Sequence, residues 1–150
     1  DKGRIERLAR PALSDLGGRG IIDDASPWLE VLGAGLAALP LSGPLSVVHG
    51  DFYSRHILVD GAGRMTGVID FGDLHLDHPA LDLSVVWTVL PPRARRAFFA
   101  IYGEVNAATQ AVARLRALMS GLAQEAYGRD VGDANIEREG VASLHSVVAA

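Results

Sequence analysis

Residues 49–60, HGDFYSRHILVD, place two imidazoles and a carboxylate in one short polar stretch that runs straight into an apolar one. A second stretch, residues 67–82, GVIDFGDLHLDHPALD, adds Asp70, Asp73, His75, Asp77, His78 and Asp82. Aspartates beside glycines are often no more than turn residues. Chain geometry argues for more here. ILVD reads as a strand, GAGR as a turn and TGVIDF as the returning strand. Folding one strand back on the other puts residue 56 opposite roughly residue 70. Asp51, His56 and Asp70 then converge. Carboxylates gathered with an imidazole suit a divalent cation, and a nearby free carboxylate suits a general base. Phosphoryl transfer needs that pair of roles, because its loose transition state is stabilised by positioning and charge rather than by covalent chemistry.

The rest of the chain must hold these loops in place. Residues 1–16 read as helix, with Pro11 expected to break or restart it and Gly17 and Gly18 to stop it. Ser26 and Pro27 read as N-cap and first turn of a second helix with Trp28, Leu29, Leu32, Leu36 and Leu39 on one face, closed by Pro40. Beyond Pro79 the pattern is helical to the end. One face carries Leu83, Val86, Trp87 and Leu90; the next carries Ala94, Ala97, Phe98, Ile101 and Tyr102. A third buries Ala108, Val112, Leu115, Leu118, Met119 and Leu122, and the last has Ile136, Leu144, Val147 and Val148. The expected fold class is α+β, a mostly helical single domain over 1–150 with one small β-hairpin among about six helices.

Composition narrows the function. The chain has 14 basic and 18 acidic side chains, a net charge of −4, which argues against a nucleic-acid footprint. It has no cysteine, so thiolate catalysis and cysteine-bound zinc are excluded. No apolar run approaches membrane-spanning length, and no signal segment precedes the first helix, so a cytoplasmic location is expected. The sequence opens on Asp1 and holds a single lysine, Lys2, and is read as a piece of something longer.

HGDFYSRH, then GVIDFGD, then DHPALDLS, in that order with a hairpin between, resembles the C-terminal lobe of the aminoglycoside phosphotransferase family, within the protein-kinase-like fold. The resemblance implies that Asp51 is the catalytic base and that Asp70 binds the metal bridging the nucleotide phosphates. It also implies that His49 packs beneath the loop and that Asp82 accepts backbone N–H groups of that loop. Mg2+, with Mn2+ as the variant, and ATP or GTP are the implied cofactor and co-substrate. The implied partners are a small-molecule hydroxyl substrate, cationic if aminoglycoside-like, and an N-terminal nucleotide-binding lobe absent from this chain. An apolar face is expected where that lobe docks.

His56 stands where the family loop has asparagine. An amide oxygen suits magnesium; an imidazole nitrogen suits manganese or zinc better. Three readings are open: His56 binds metal in the asparagine's place, it hydrogen-bonds Asp51 or a phosphate, or it marks a lobe without catalysis. Asp73 is a candidate substrate-side group, or equally an exposed turn residue. His75, Asp77 and His78 read as structural, with Asp77 placed to cap the following helix. Glu125, Asp130 and Asp133 are candidate substrate contacts in the acidic stretch QEAYGRDVGDANIERE, against the plainer reading of a solvated loop and exposed helix faces.

Two patterns are set aside. GAGLAA at 33–38 follows no strand and lies inside a helical pattern, so it reads as small packing residues rather than a dinucleotide loop. Arg93, Arg95 and Arg96 in PPRARRAF read as the solvated face of an amphipathic helix. The leading function is thus a nucleotide-dependent phosphotransferase acting on a small-molecule hydroxyl, aminoglycoside-like acceptors favoured. A metal-dependent hydrolase on the same His/Asp cluster and a non-catalytic binding lobe are the alternatives. The enzyme reading predicts a strand-rich segment of about a hundred residues before Asp1, a usual domain size, with one well-placed lysine.

Overall fold

In the computed structural model, which describes residues 1–149, seven helices surround two small sheets. The first helix, α1 (Lys2–Gly18), starts on the Asp1 carboxylate, which accepts from the N–H groups of Gly3 and Arg4. Pro11 does not break it. Pro11 and Arg7 both face solvent, so the carbonyl freed by the missing N–H can be hydrated, while Ala9, Leu13 and Leu16 bury the opposite face. Helix α2 (Ser26–Ala38) carries Pro27 in its first turn as expected, but Ser26 is not its cap. The N-cap is Ala25, and the preceding Asp24 carboxylate accepts from Ser26 N–H at 2.9 Å. GAGLAA lies within α2, where Gly35 lets the helix press against Leu115.

Strands β1 (Ser46–Val48), β2 (Ile57–Val59), β3 (Met65–Val68) and β4 (His75–Asp77) pair antiparallel as β1 with β4 and β2 with β3. The β2–β3 hairpin is the expected one; β1–β4 was not foreseen. Its side chains hide the pattern, since Val47 and Leu76 are exposed and only Val48 is buried, so no alternation marks the strands. Short helices α3 (Ala80–Leu83) and α4 (Val85–Thr88) follow, then α5 (Pro92–Tyr102). Ala97, Ile101 and Tyr102 of α5 are exposed rather than buried; Phe98 and Phe99 make its contact with the core and with Trp87. Arg95 departs from its expected solvated place. With Arg114 it donates to the last carbonyls of the C-terminal helix, Arg95 to Ser146 and Ala149 and Arg114 to Val147. Burial lowers the pKa of both guanidiniums from the usual arginine value.

The core is built on α6 (Ala107–Val131) and α7 (Ala134–Val148), which fold back on each other and make the most extensive helix contact. α1, α2, α3 and α4 pack round this pair. Trp28 of α2 is buried and donates its indole N–H to the Leu144 carbonyl at 2.9 Å. Ala108 lies outside the core and Met119 only at its edge. No described helix is long and apolar enough to cross a membrane.

The two long helices approach so closely that Gly140 has the backbone of Glu125 where a Cβ would sit. Overpacking a tight contact costs about 1–3 kcal/mol. Gly140→Ala is therefore expected to lower the unfolding free energy by an amount in that range, read as a lower urea midpoint at an unchanged m-value. An unaltered midpoint would show that the α6–α7 contact is looser than described.

Candidate active site

The site begins at the end of β1. Val48 and His49 are buried, and the chain then turns through Gly50 at φ +87°, a left-handed conformation that glycine adopts without strain. A side chain at Gly50 would also meet the Asp73 carbonyl, its Cβ lying 2.5 Å away. Two loops, 49–53 and 71–73, are thereby held in contact. The Asp82 carboxylate fixes the first of them, accepting from His49 N–H at 2.6 Å and Gly50 N–H at 3.1 Å. Asp82 reaches the loop from α3, which packs on α6.

A 3-10 turn at Ser54–His56 then brings His56 inward, where it is 8% exposed. Its Nδ1 lies 2.7 Å from the Asp51 carbonyl oxygen. A carbonyl only accepts, so Nδ1 carries the proton. Nε2 therefore points at the Asp70 carboxylate, 3.3 Å away, with a lone pair unless a second proton is bound. Lone pair and carboxylate repel; a cation between them, proton or metal, converts the contact into an attraction. Tyr53 packs edge-on to the His56 ring with centroids 4.4 Å apart, and its phenol is pushed above the usual tyrosine pKa by burial and then by the Asp51 charge.

Asp70 arrives from the far strand. The Ile69 N–H donates to the His56 carbonyl, so residue 56 is opposite 69 and Asp70 is the first residue past the pairing. The expected partner was roughly residue 70, one position further along. Asp70 has φ 64° and ψ 62°, the left-handed region, which aspartate tolerates better than most residues. Its side chain is 66% exposed and that of Asp51 52% exposed, so both carboxylates remain open to solvent. His49 lies below them, its Nε2–H donating to the Ile69 carbonyl at 2.9 Å and its ring against Phe52, Phe71 and His56. Its Nδ1 is buried with no protein partner among the described residues.

Other candidates fall elsewhere. Asp73 is exposed in the turn Phe71–Asp73, and its carbonyl accepts from His75 Nδ1 at 2.7 Å. Asp77 belongs to β4 and accepts from His78 N–H, while His78 Nδ1 accepts from Ala80 N–H at the start of α3. The expected Asp77 cap is thus supplied by the neighbouring histidine. Glu125 is 3% exposed and ion-paired with Arg19, which also binds Asp15 and Glu137. It is held inside the helical body and does not reach the site. Asp133 caps α7, accepting from the N–H groups of Asn135 and Ile136, and these bonds lower its pKa. Asp130 is exposed near the C-terminal end of α6, beside Tyr127 and Arg129.

A cleft of about 670 Å³ opens beside Asp51. Its wall on α6 is formed by Arg116, Met119, Ser120, Ala123, Gln124 and Tyr127, with Tyr53 and Arg55 on the loop side. Those α6 positions recur at helical spacing, a second face opposite Leu115, Leu118 and Leu122. That recurrence was the signal available for the cleft. Arg55 is tied to Glu139 of α7 by two bonds, at 3.0 and 3.2 Å.

A polar loop after β1 and a hairpin ending in an Asp-Phe-Gly turn, set on a mostly helical body, give the architecture of the C-terminal lobe of a kinase-like fold. The chain belongs to the APH phosphotransferase enzyme family, which it matches over residues 4–118. It is similar in fold to the aminoglycoside phosphotransferase APH(4)-Ia, solved as the apo form of a thermostable mutant, with a TM-score of 0.54 at 21% identity over 98% of this chain and 51% of that one. A macrolide 2'-phosphotransferase type I gives a TM-score of 0.46 at 22% identity over 95% of this chain and 48% of its own. The uncharacterized protein YcbJ of Bacillus subtilis (strain 168) is 39% identical over 44 residues, 29% of this chain and 14% of that protein. The chain therefore spans about half the length of these solved structures.

Removing Asp82 strips two N–H groups of their acceptor. Asp82→Ala is expected to cost about 2–3 kcal/mol and to speed hydrogen exchange at the His49 and Gly50 amides. Unchanged exchange at both would mean that Asp82 does not hold the loop.

Proposed function

We propose that this lobe belongs to an enzyme that transfers the terminal phosphoryl group of ATP or GTP to a hydroxyl of a small molecule. One observation carries the reading. Asp51 and Asp70 come from different loops yet flank a single buried imidazole, and only Asp51 faces the cleft. This separates an acceptor side from a nucleotide side. Asp51 orients the acceptor hydroxyl and takes its proton as that oxygen bonds to the terminal phosphorus. The bridging oxygen leaves with the nucleoside diphosphate. His56 fixes the Asp51 backbone through Nδ1–H, and Asp82 fixes the preceding turn.

Asp70 and His56 Nε2 would hold Mg2+ or Mn2+, which when bound neutralises charge on the phosphates. The donor set fits that use. Magnesium on phosphates commonly takes one or two protein ligands and completes its shell with water and phosphate oxygens. The imidazole nitrogen inclines the pair towards manganese. Among the described residues no three His, Asp or Glu side chains gather to hold a metal ion. A zinc hydrolase, which commonly uses three protein ligands, finds no support in this arrangement.

An N-terminal lobe of the same protein would complete the nucleotide site, meeting the exposed apolar side chains Val47, Leu58, Met65, Leu74 and Leu76 of the strands. Nucleotide use implies the cytoplasm. The APH(4)-Ia likeness brings antibiotics forward as the starting class of acceptor.

In the full-length protein, Asp51→Asn and Asp70→Asn are each expected to lower the transfer rate at least ~100-fold with an unchanged melting temperature. Full activity in either variant would contradict the assignment. His56→Asn is expected to keep transfer and to shift the ratio of magnesium- to manganese-supported rates towards magnesium. An unchanged ratio would remove His56 from the metal site.

A further inference from the structure

Charge is unevenly distributed in the cleft beside Asp51. Of the acidic side chains expected near Asp51, none lines the cleft. Glu125 is buried against Arg19, Asp133 is occupied as a helix cap, and Asp130 sits with Tyr127 and Arg129 in a separate depression. Asp51 is the one carboxylate in the lining, and the proposed reaction uses it as the base. Two guanidiniums face it. Arg55 is neutralised by its paired bonds to Glu139. Arg116 is exposed, and its guanidinium makes no hydrogen bond or ion pair with any described residue. It projects from α6 at the junction of this cleft with the groove beside Asp77 and His78.

We propose that the acceptor is a hydroxyl compound that also carries an oxyanion, carboxylate or phosphate, received by Arg116, and not a polycationic amine. This rests on the phosphotransferase reading above. A polyamine entering the cleft would meet the unpaired Arg116 guanidinium, with Asp51 the one carboxylate in the lining and the nearby Glu139 and Asp133 acting on Arg55, which disfavours its approach. A carboxylate or phosphate matches the planar fork of arginine, which can grip two oxygens at once. Met119, Ala123 and Ile136 supply an apolar wall for the body of the molecule, and Gln124 a neutral hydrogen-bonding group.

The test uses the full-length protein with Mg2+ or Mn2+ and ATP or GTP, and acceptors in three charge states: hydroxy acids and sugar phosphates, neutral sugars, and aminoglycosides. Transfer to anionic acceptors, with Arg116→Gln lowering kcat/KM at least tenfold through KM and sparing neutral acceptors, is the expected result. Transfer mainly to aminoglycosides, kept or raised in Arg116→Glu, overturns the proposal and leaves the phosphotransferase reading standing. Transfer to no acceptor counts against that reading itself, and binding then decides. Calorimetry is expected to show glucose 6-phosphate binding to the wild type and at least tenfold more weakly to Arg116→Gln. Tighter binding of kanamycin, or no binding of the sugar phosphate, overturns the proposal.

Discussion

The His56 imidazole is the joint on which the site depends, because its two nitrogens are committed to two different loops. Nδ1–H donates to the Asp51 carbonyl, and Nε2 faces the Asp70 carboxylate at 3.3 Å. Fixing one nitrogen by a backbone acceptor leaves the other as a lone pair directed at a negative charge. That arrangement asks for a cation. Burial of the ring under Tyr53 and against His49 prevents it from rotating to a less demanding contact. The imidazole is thus built into the site through both of its ring nitrogens.

The helical body gives this joint a fixed base and separates two charge environments. On one side of α6, Glu125 is buried with Arg19, and Arg19 also reaches Asp15 and Glu137, binding the end of α1 to α6 and α7. On the other side, Arg116, Gln124 and Tyr127 line the cleft with no carboxylate from α6. Adjacent residues Gln124 and Glu125 therefore serve different faces of α6. Arg55, paired with Glu139, ties the loop to α7; an exposed pair of this kind adds little stability but restricts where the loop can sit.

Much of this was legible in the residues. The hairpin followed from β-branched runs around GAGR, and the convergence of Asp51, His56 and Asp70 followed from folding it, with the pairing displaced by one residue. The helical order after Pro79 followed from apolar spacing. What escaped had physical reasons. β1–β4 shows no buried alternation because Val47 and Leu76 face outward and Val48 alone is buried. Pro11 could be tolerated because solvent reaches the carbonyl it frees, a matter of burial rather than of sequence. The acidic stretch 124–139 reads as a single rim, yet its members turn to an ion pair, a cap and open solvent. Charge counts along a chain do not reveal which side of a helix each charge occupies.

On the proposed reading, Asp70 and His56 Nε2 together form the cation-binding side of a site whose other side is Asp51. Paramagnetic broadening of histidine ring nitrogen signals, on titrating Mn2+ with nucleotide into the full-length protein, tests it most directly. His56 Nε2 is expected to broaden first, Asp70→Asn to abolish the effect, and His145 to stay unaffected. Unbroadened His56 signals at saturating Mn2+ and nucleotide would contradict it.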